Sequence, residues 1–204
     1  MASTTRRMAP EARREQLLDV LADLVLAEGY AAVSIDRVAR EARIARTVVY
    51  AQFGNLQGLL EALVDRTQRR AIEQVQAVLA GAGERPERAD IDALIVAAAR
   101  TFGEMVVADP RTWRLALLPS DGAPSILRER TEASRGAIRE IVQPVIRWIT
   151  VERGGLEGVE DELAARAVVT LGEDAARLMI ADPEAYPPER MAAFTGALLR
   201  ALRT

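Results

Sequence analysis

The chain has 204 residues, half of them hydrophobic, so it can bury a substantial core in one domain or two small ones; its net charge of −3 excludes a wholly basic nucleic-acid coat protein but leaves room for a local basic face. It contains neither cysteine nor histidine, which removes disulfides, thiolate nucleophiles, imidazole bases and nearly every zinc or haem site, so no catalytic residue, metal or cofactor is expected. No segment reaches the roughly 18 uninterrupted apolar residues of a membrane span, and MASTTRRMAPEARRE lacks a signal-peptide core, so a cytoplasmic protein with no membrane partner is expected.

Ala, Leu, Arg and Glu dominate and no run of alternating β-branched residues appears, which favours an all-α fold. Residues 10–28, PEARREQLLDVLADLVLAE, place Leu17, Leu21, Leu24 and Val25 on one stripe of an amphipathic helix. Pro10 suits its first turn and Gly29 the position just past its end. SIDRVAREA, residues 34–42, begins with a good capping residue and carries Asp36 in its first turn, where a carboxylate complements the helix dipole. This second helix is too short to stand alone and must pack on the first.

A third helical pattern runs from about Ala45 to Phe53 after a break at Arg43-Ile44. Two short helices joined by a tight turn and packed on a longer one define helix-turn-helix geometry, in which the second short helix enters the major groove of DNA. The composition of ARIARTVVYAQF then has a cause: Ile44, Val49 and Phe53 face inward, leaving Arg46, Thr47, Val48, Tyr50 and Gln52 outward. All 27 basic residues are arginine, the side chain that binds phosphate bidentately. Arg6 and Arg7 precede the first helix as an arm of the kind that enters a minor groove.

The run GYAAVSIDRVAREARIARTVVYAQFGNLQGLL, Gly29 to Leu60, resembles the DNA-binding domain of the tetracycline-repressor (TetR) family of bacterial regulators. The resemblance rests on Gly29-Tyr30, Ser34-Ile35, Val38-Ala39, Ala42 with Ile44, and Val49-Tyr50 with Phe53, in order and spacing. It implies a helix-turn-helix domain over residues 1–55 and a helical ligand-binding and dimerisation domain over 56–204. It further implies that Arg46, Thr47, Val48, Tyr50 and Gln52 face base edges or adjacent phosphates, with Ser34, Arg37 and Arg43 on phosphates. The chain departs from the family pattern at four positions. Arg43 replaces a turn glycine and Ala45 a serine cap; Val48 replaces a hydroxyl residue and Leu56 a phosphate-contacting lysine.

Further along, helices are expected over about 56–79, 91–109, 110–119, 125–151, 159–180 and 188–202. Breaks fall at GAGERPERAD (81–90), SDGAP (120–124) and GGLEG (154–158), and Pro144 should kink the helix that contains it. Phe102, Met105, Trp113, Leu117 and Trp148 are the sparse large side chains of this part and are candidates to line a small-molecule cavity, with Glu173 as a polar anchor. Val168, Leu171, Gly172, Ala175 and Met179, with Phe194 and Leu198, recur at helical spacing and are candidates for a four-helix dimer interface. A helix-turn-helix dimer reads two half-sites about one DNA turn, ~34–36 Å, apart, so a homodimer on a palindromic operator is expected.

Three functions compete on this reading: a repressor released from its operator by a small molecule, a dimeric ligand-binding or interaction protein that has lost DNA reading, and a carboxylate-dependent hydrolase or lyase. The last lacks any nucleophile–base pair in the sequence.

Overall fold

The computed structural model describes residues 9–81, 91–118, 124–152 and 160–201, and all the regular structure among them is helical. The helices are α1 (Pro10–Glu28), α2 (Ile35–Glu41), α3 (Arg46–Phe53), α4 (Leu56–Gly81), α5 (Ile91–Ala108), α6 (Pro110–Ala116), α7 (Ser125–Glu152), α8 (Asp161–Ala181) and α9 (Pro188–Ala201). Arg6 and Arg7, the break after Gly81, most of the SDGAP loop and the GGLEG turn lie outside the described residues. No helix among the described residues is long and apolar enough to cross a membrane.

The chain divides into two compact units. The first contains the described residues up to Thr67 together with residues 124–130. Pro10 opens α1, and Leu17, Leu18, Leu21, Ala22, Leu24 and Val25 form its buried face. The helix ends at Gly29, whose φ of 79° is left-handed backbone that favours glycine, and the Gly29 N–H donates to the Val25 carbonyl. A single 3-10 turn, Tyr30–Ala32, leads to α2, whose Ile35, Val38 and Ala39 are buried against α1.

This unit extends past the boundary expected at residue 55. Leu59, Leu60, Leu63 and Val64 in the first turns of α4 are buried, and Arg66, only 7% exposed, donates to Glu15 at 3.0 Å and to Asp19 at 2.9 Å on α1. At the start of α7, Arg130 similarly joins Glu61 and Asp65 of α4, while Leu127 is buried. A buried guanidinium with two carboxylate partners fixes helix register as well as charge, because its planar donors demand oriented acceptors.

The second unit comprises the remaining described residues, from Gln68 in α4 to Leu118 and from Thr131 in α7 onward. Its α5 lies closely along α9, and glycine permits the approach: a Cβ on Gly103 would fall 2.9 Å from the Pro188 Cβ, and one on Gly196 would fall 3.2 Å from the Val96 Cγ2. Val106, Trp113, Leu117, Ala176, Met179, Ala71 and Val75 form the core. A polar relay runs along its edge: the Trp113 indole N–H donates to Gln74 Oε1 at 2.8 Å, Gln74 Nε2 donates to Asp109 Oδ2 at 2.9 Å, and Asp109 Oδ1 caps α6 by accepting from the Thr112 N–H at 3.2 Å. Pro144 sits exposed inside α7, which continues through it.

Candidate nucleic-acid interface

The helix-turn-helix is built from the turn outward. Ser34 caps α2, its Oγ accepting from the Arg37 N–H at 3.3 Å, and Asp36 lies in the first helical turn. After α2 the Ile44 N–H donates back to the Ala39 carbonyl at 3.0 Å, and Arg43 adopts a φ of 55°, the left-handed conformation expected of a turn glycine. Ala45 stands at the N-cap of α3 with no side-chain hydrogen bond, so this helix starts without the acceptor that serine would supply.

Val49 is the buried residue of α3, with Ile44 and Phe53 half-buried beside it. The opposite side carries Arg46, Thr47 and Tyr50, all exposed, with Tyr50 at 51%. Val48 and Gln52 are half-buried at the margins of that face. The end of α3 is held from α1. The Arg14 guanidinium carbon lies 4.5 Å from the Phe53 ring centroid, and Arg14 Nη1 donates to the Gln52 carbonyl at 3.3 Å, satisfying one of the helix's terminal carbonyls. Gly54 then reverses the chain at a φ of 76°, and Asn55 Oδ1 accepts from the Gly58 N–H at 2.8 Å to start α4.

The arginines of this face divide into two kinds. Arg37 is held bidentately by Glu28, through Nη1 at 2.6 Å and Nη2 at 2.5 Å, and Arg46 Nη1 lies 3.0 Å from Asp36 Oδ1. Arg40 and Arg43 are exposed and have no ion pair among the described residues. An arginine engaged by a carboxylate in the unbound protein must exchange that partner for phosphate, whereas one facing solvent needs no exchange. The pairs to Glu28 and Asp36, nine and ten residues away, were not visible in the sequence, where neither lies at helical spacing.

The candidate ligand residues are only partly brought together. Trp113 and Leu117 are buried in the core of the second unit with Phe102 and Met105 packed against it, and the Phe102 and Trp113 rings meet edge to face at 5.2 Å. Trp148 is half-buried and is not part of that cluster. Glu173 is committed to arginines, its Oε1 2.8 Å from Arg135 Nε and its Oε2 3.3 Å from Arg177 Nη2. Burial alone would lower the Arg135 pKa, but hydrogen bonds and charge from Glu132 and Glu173 outweigh it and raise the pKa above its ordinary value.

The candidate dimer residues split by helix face. Val168, Leu171, Phe194 and Leu198 are exposed, Leu171 and Phe194 by 63% and 62%, and Leu163 extends the apolar surface of α8. Met179 is a correction: at 1% exposure it belongs to the core of its own unit and is not available to a second subunit. Its reason is periodicity. Ala165, Gly172, Ala176 and Met179 lie on the inward stripe, where a Cβ on Gly172 would meet the Phe102 ring at 4.0 Å and Ala175 packs on the same core. Val168 and Leu171 fall on the other side.

Two short helices across a tight turn, with an exposed polar face on the second, define a helix-turn-helix protein. Residues 17–63 match the family of bacterial regulatory proteins described as the tetR family. Over 66 residues the chain is 36% identical to the HTH-type transcriptional regulator AlkX of Mycobacterium tuberculosis, a match that spans 32% of this chain and 31% of AlkX. Likeness in fold extends over nearly the whole chain. A TetR-like transcriptional regulator from Rhodococcus sp. RHA1 superposes with a TM-score of 0.71 at 22% identity, covering 97% of this chain and 99% of that one. The regulator FadR of Bacillus subtilis, solved in complex with stearoyl-CoA, superposes with a TM-score of 0.68 at 15% identity, covering 91% and 96%. The helix-turn-helix head is thus similar to that of tetR-family regulators, and the match to AlkX spans about a third of that protein's length.

Proposed function

We propose that the protein is a DNA-binding transcriptional regulator that acts as a homodimer in the cytoplasm, a repressor released from a palindromic operator by a small molecule. The observation that carries this reading is the α3 face. Arg46, Thr47 and Tyr50 stand in solvent while Val49 on the same short helix is buried, so the helix is anchored by its back and presents groove-reading side chains in front. Thr47 and Tyr50 offer hydroxyls to base edges or phosphates; Arg46, Arg43, Arg40 and Arg37 supply positive charge beside them. Val48 and Gln52 flank the contact, and Ser34 contributes chiefly by capping α2.

Dimerisation through the exposed apolar side chains of α8 and α9 would bring two heads to two half-sites. The effector is a small molecule with an apolar part, bound within the helical body beside Phe102 and Met105 at the margin of the core; the stearoyl chain of the ligand in the FadR complex supports an apolar moiety. Such a ligand shifts the DNA-binding equilibrium only through its differential affinity for the two states of the dimer.

The second reading, a dimeric ligand-binding or interaction protein without DNA reading, draws on the uncapped start of α3 and the arginine in the left-handed turn. Titration of duplex DNA across a range of salt separates the two. A phosphate-contacting regulator loses affinity steeply as salt rises, and Tyr50→Ala weakens it at fixed salt. Absence of salt-dependent binding by folded, dimeric protein would support the second reading.

A further inference from the structure

The face formed by α2 and α3 is less basic than its arginines suggest. From Glu28 to Phe53 the chain carries Arg37, Arg40, Arg43 and Arg46 against Glu28, Asp36 and Glu41, a net charge of only one. Two of the carboxylates are not merely nearby. Glu28 grips Arg37 with both oxygens, and Asp36 holds Arg46, the first residue of α3, at 3.0 Å.

We propose that Asp36 and Glu28 set the specificity of DNA binding by withholding Arg46 and Arg37 from non-cognate duplex; this rests on the DNA-reading role proposed above. A phosphate and a carboxylate compete for the same guanidinium donors. At a non-cognate site, where α3 is not seated in the groove, the phosphate backbone meets a face whose two paired arginines are already neutralised, and the electrostatic attraction that dominates non-specific binding is reduced. At a cognate site the seated helix holds phosphates and base edges at fixed distance, so Arg46 exchanges partners at little loss. The Arg46–Asp36 pair suits this exchange, because its side chains are 66% and 65% exposed and solvent-exposed pairs are weak. The Arg37–Glu28 pair, bidentate and only 34% and 39% exposed, releases less readily and acts as the firmer restraint.

The alternative explanation of Asp36 is local: a carboxylate in the first turn of α2 complements that helix's dipole. The two roles differ in what they require of Arg46. A dipole role is indifferent to the arginine, whereas withholding Arg46 is meaningless without it.

The test measures binding of the full-length protein to a random-sequence duplex across salt for wild type, Asp36→Asn, Glu28→Gln, Arg46→Gln and the Asp36→Asn/Arg46→Gln double variant, with thermal unfolding of each. Asp36→Asn is expected to raise non-specific affinity about two- to five-fold at ~0.1 M salt, the range an exposed pair can withhold, and to steepen the log–log salt slope by about 0.9 per added phosphate contact. The gain should be lost in the Arg46→Gln background, and discrimination for any enriched sequence should fall. Glu28→Gln should act in the same direction. An unchanged affinity and slope in both folded single variants would overturn the inference, as would a gain that persists without Arg46, since Asp36 would then act by plain repulsion. Wild-type protein that binds no duplex at any salt would instead refute the DNA-reading role itself.

Discussion

Arg43 holds left-handed backbone, with φ at 55°, at the corner of the helix-turn-helix. A side chain there crowds the following carbonyl, and glycine relieves the strain, so Arg43→Gly is expected to raise stability by about 0.5–1 kcal/mol, a shift of roughly 1–4 °C in unfolding temperature. The same change removes a solvent-facing cation, so DNA affinity should fall as stability rises; loss of both would contradict this account of the turn. Gly58 presents the opposite case. A Cβ there would lie 2.3 Å from the Phe53 carbonyl oxygen, with backbone rather than a flexible side chain as the obstacle. Gly58→Ala should therefore destabilise the head by about 1–3 kcal/mol, measured by thermal or urea unfolding. The strain at Arg43 was legible in the sequence, because the surrounding motif calls for glycine at that place. The need for Gly58 was not, because it depends on where the last carbonyl of α3 points.

At the scale of the element, α3 is open at one end and clamped at the other. It lacks a side-chain cap at Ala45, while Arg14 covers Phe53 and bonds the Gln52 carbonyl. Arg14→Ala should cost about 1 kcal/mol and speed hydrogen exchange at the Gly54 amide, which donates to the Tyr50 carbonyl at 2.8 Å; unchanged exchange there would deny Arg14 this role. Helix α6 offers a pH test. Burial would raise the Asp109 pKa, but hydrogen bonds from Thr112 and Gln74, with the charge of Arg70, outweigh it and leave the pKa below the ordinary carboxylate value. A depressed folded-state pKa contributes stability above the unfolded value of about 3.9 and loses it as pH falls through the folded one. Asp109→Asn should thus flatten the acid limb of the unfolding profile and leave its shape near neutrality unchanged. Helix positions themselves were legible in the head, since Pro10 and Ser34 mark starts, Gly29 marks a stop and apolar periodicity marks lengths, whereas the cap that Asp109 provides to α6 was not, because in the sequence it reads as the end of the preceding helix. The Arg14 clamp was not, because it joins residues 38 apart in sequence.

At the scale of the whole molecule, the account needs a dimer and a DNA target. Leu171 and Phe194 are exposed apolar side chains on α8 and α9, and replacement of either by Asp should yield folded monomers in sedimentation. Retention of the wild-type mass by both variants would move the interface elsewhere. The apolar repeat in α8 was legible, but its division between an inward stripe ending in Met179 and an outward one at Val168 and Leu171 required the packing of α8 on α5 and α6. The ligand residues were least legible, because a large side chain reads alike whether it lines a cavity or, like Trp113, fills a core. The most direct measurement of the central claim is selection of bound fragments from random DNA, with Tyr50→Ala carried in parallel. The account predicts an enriched palindrome whose half-sites lie about one helical turn, ~10 base pairs, apart, and its loss in the variant. Failure of folded, dimeric protein to enrich any sequence, or equal enrichment by Tyr50→Ala, would contradict the claim that the exposed face of α3 reads DNA.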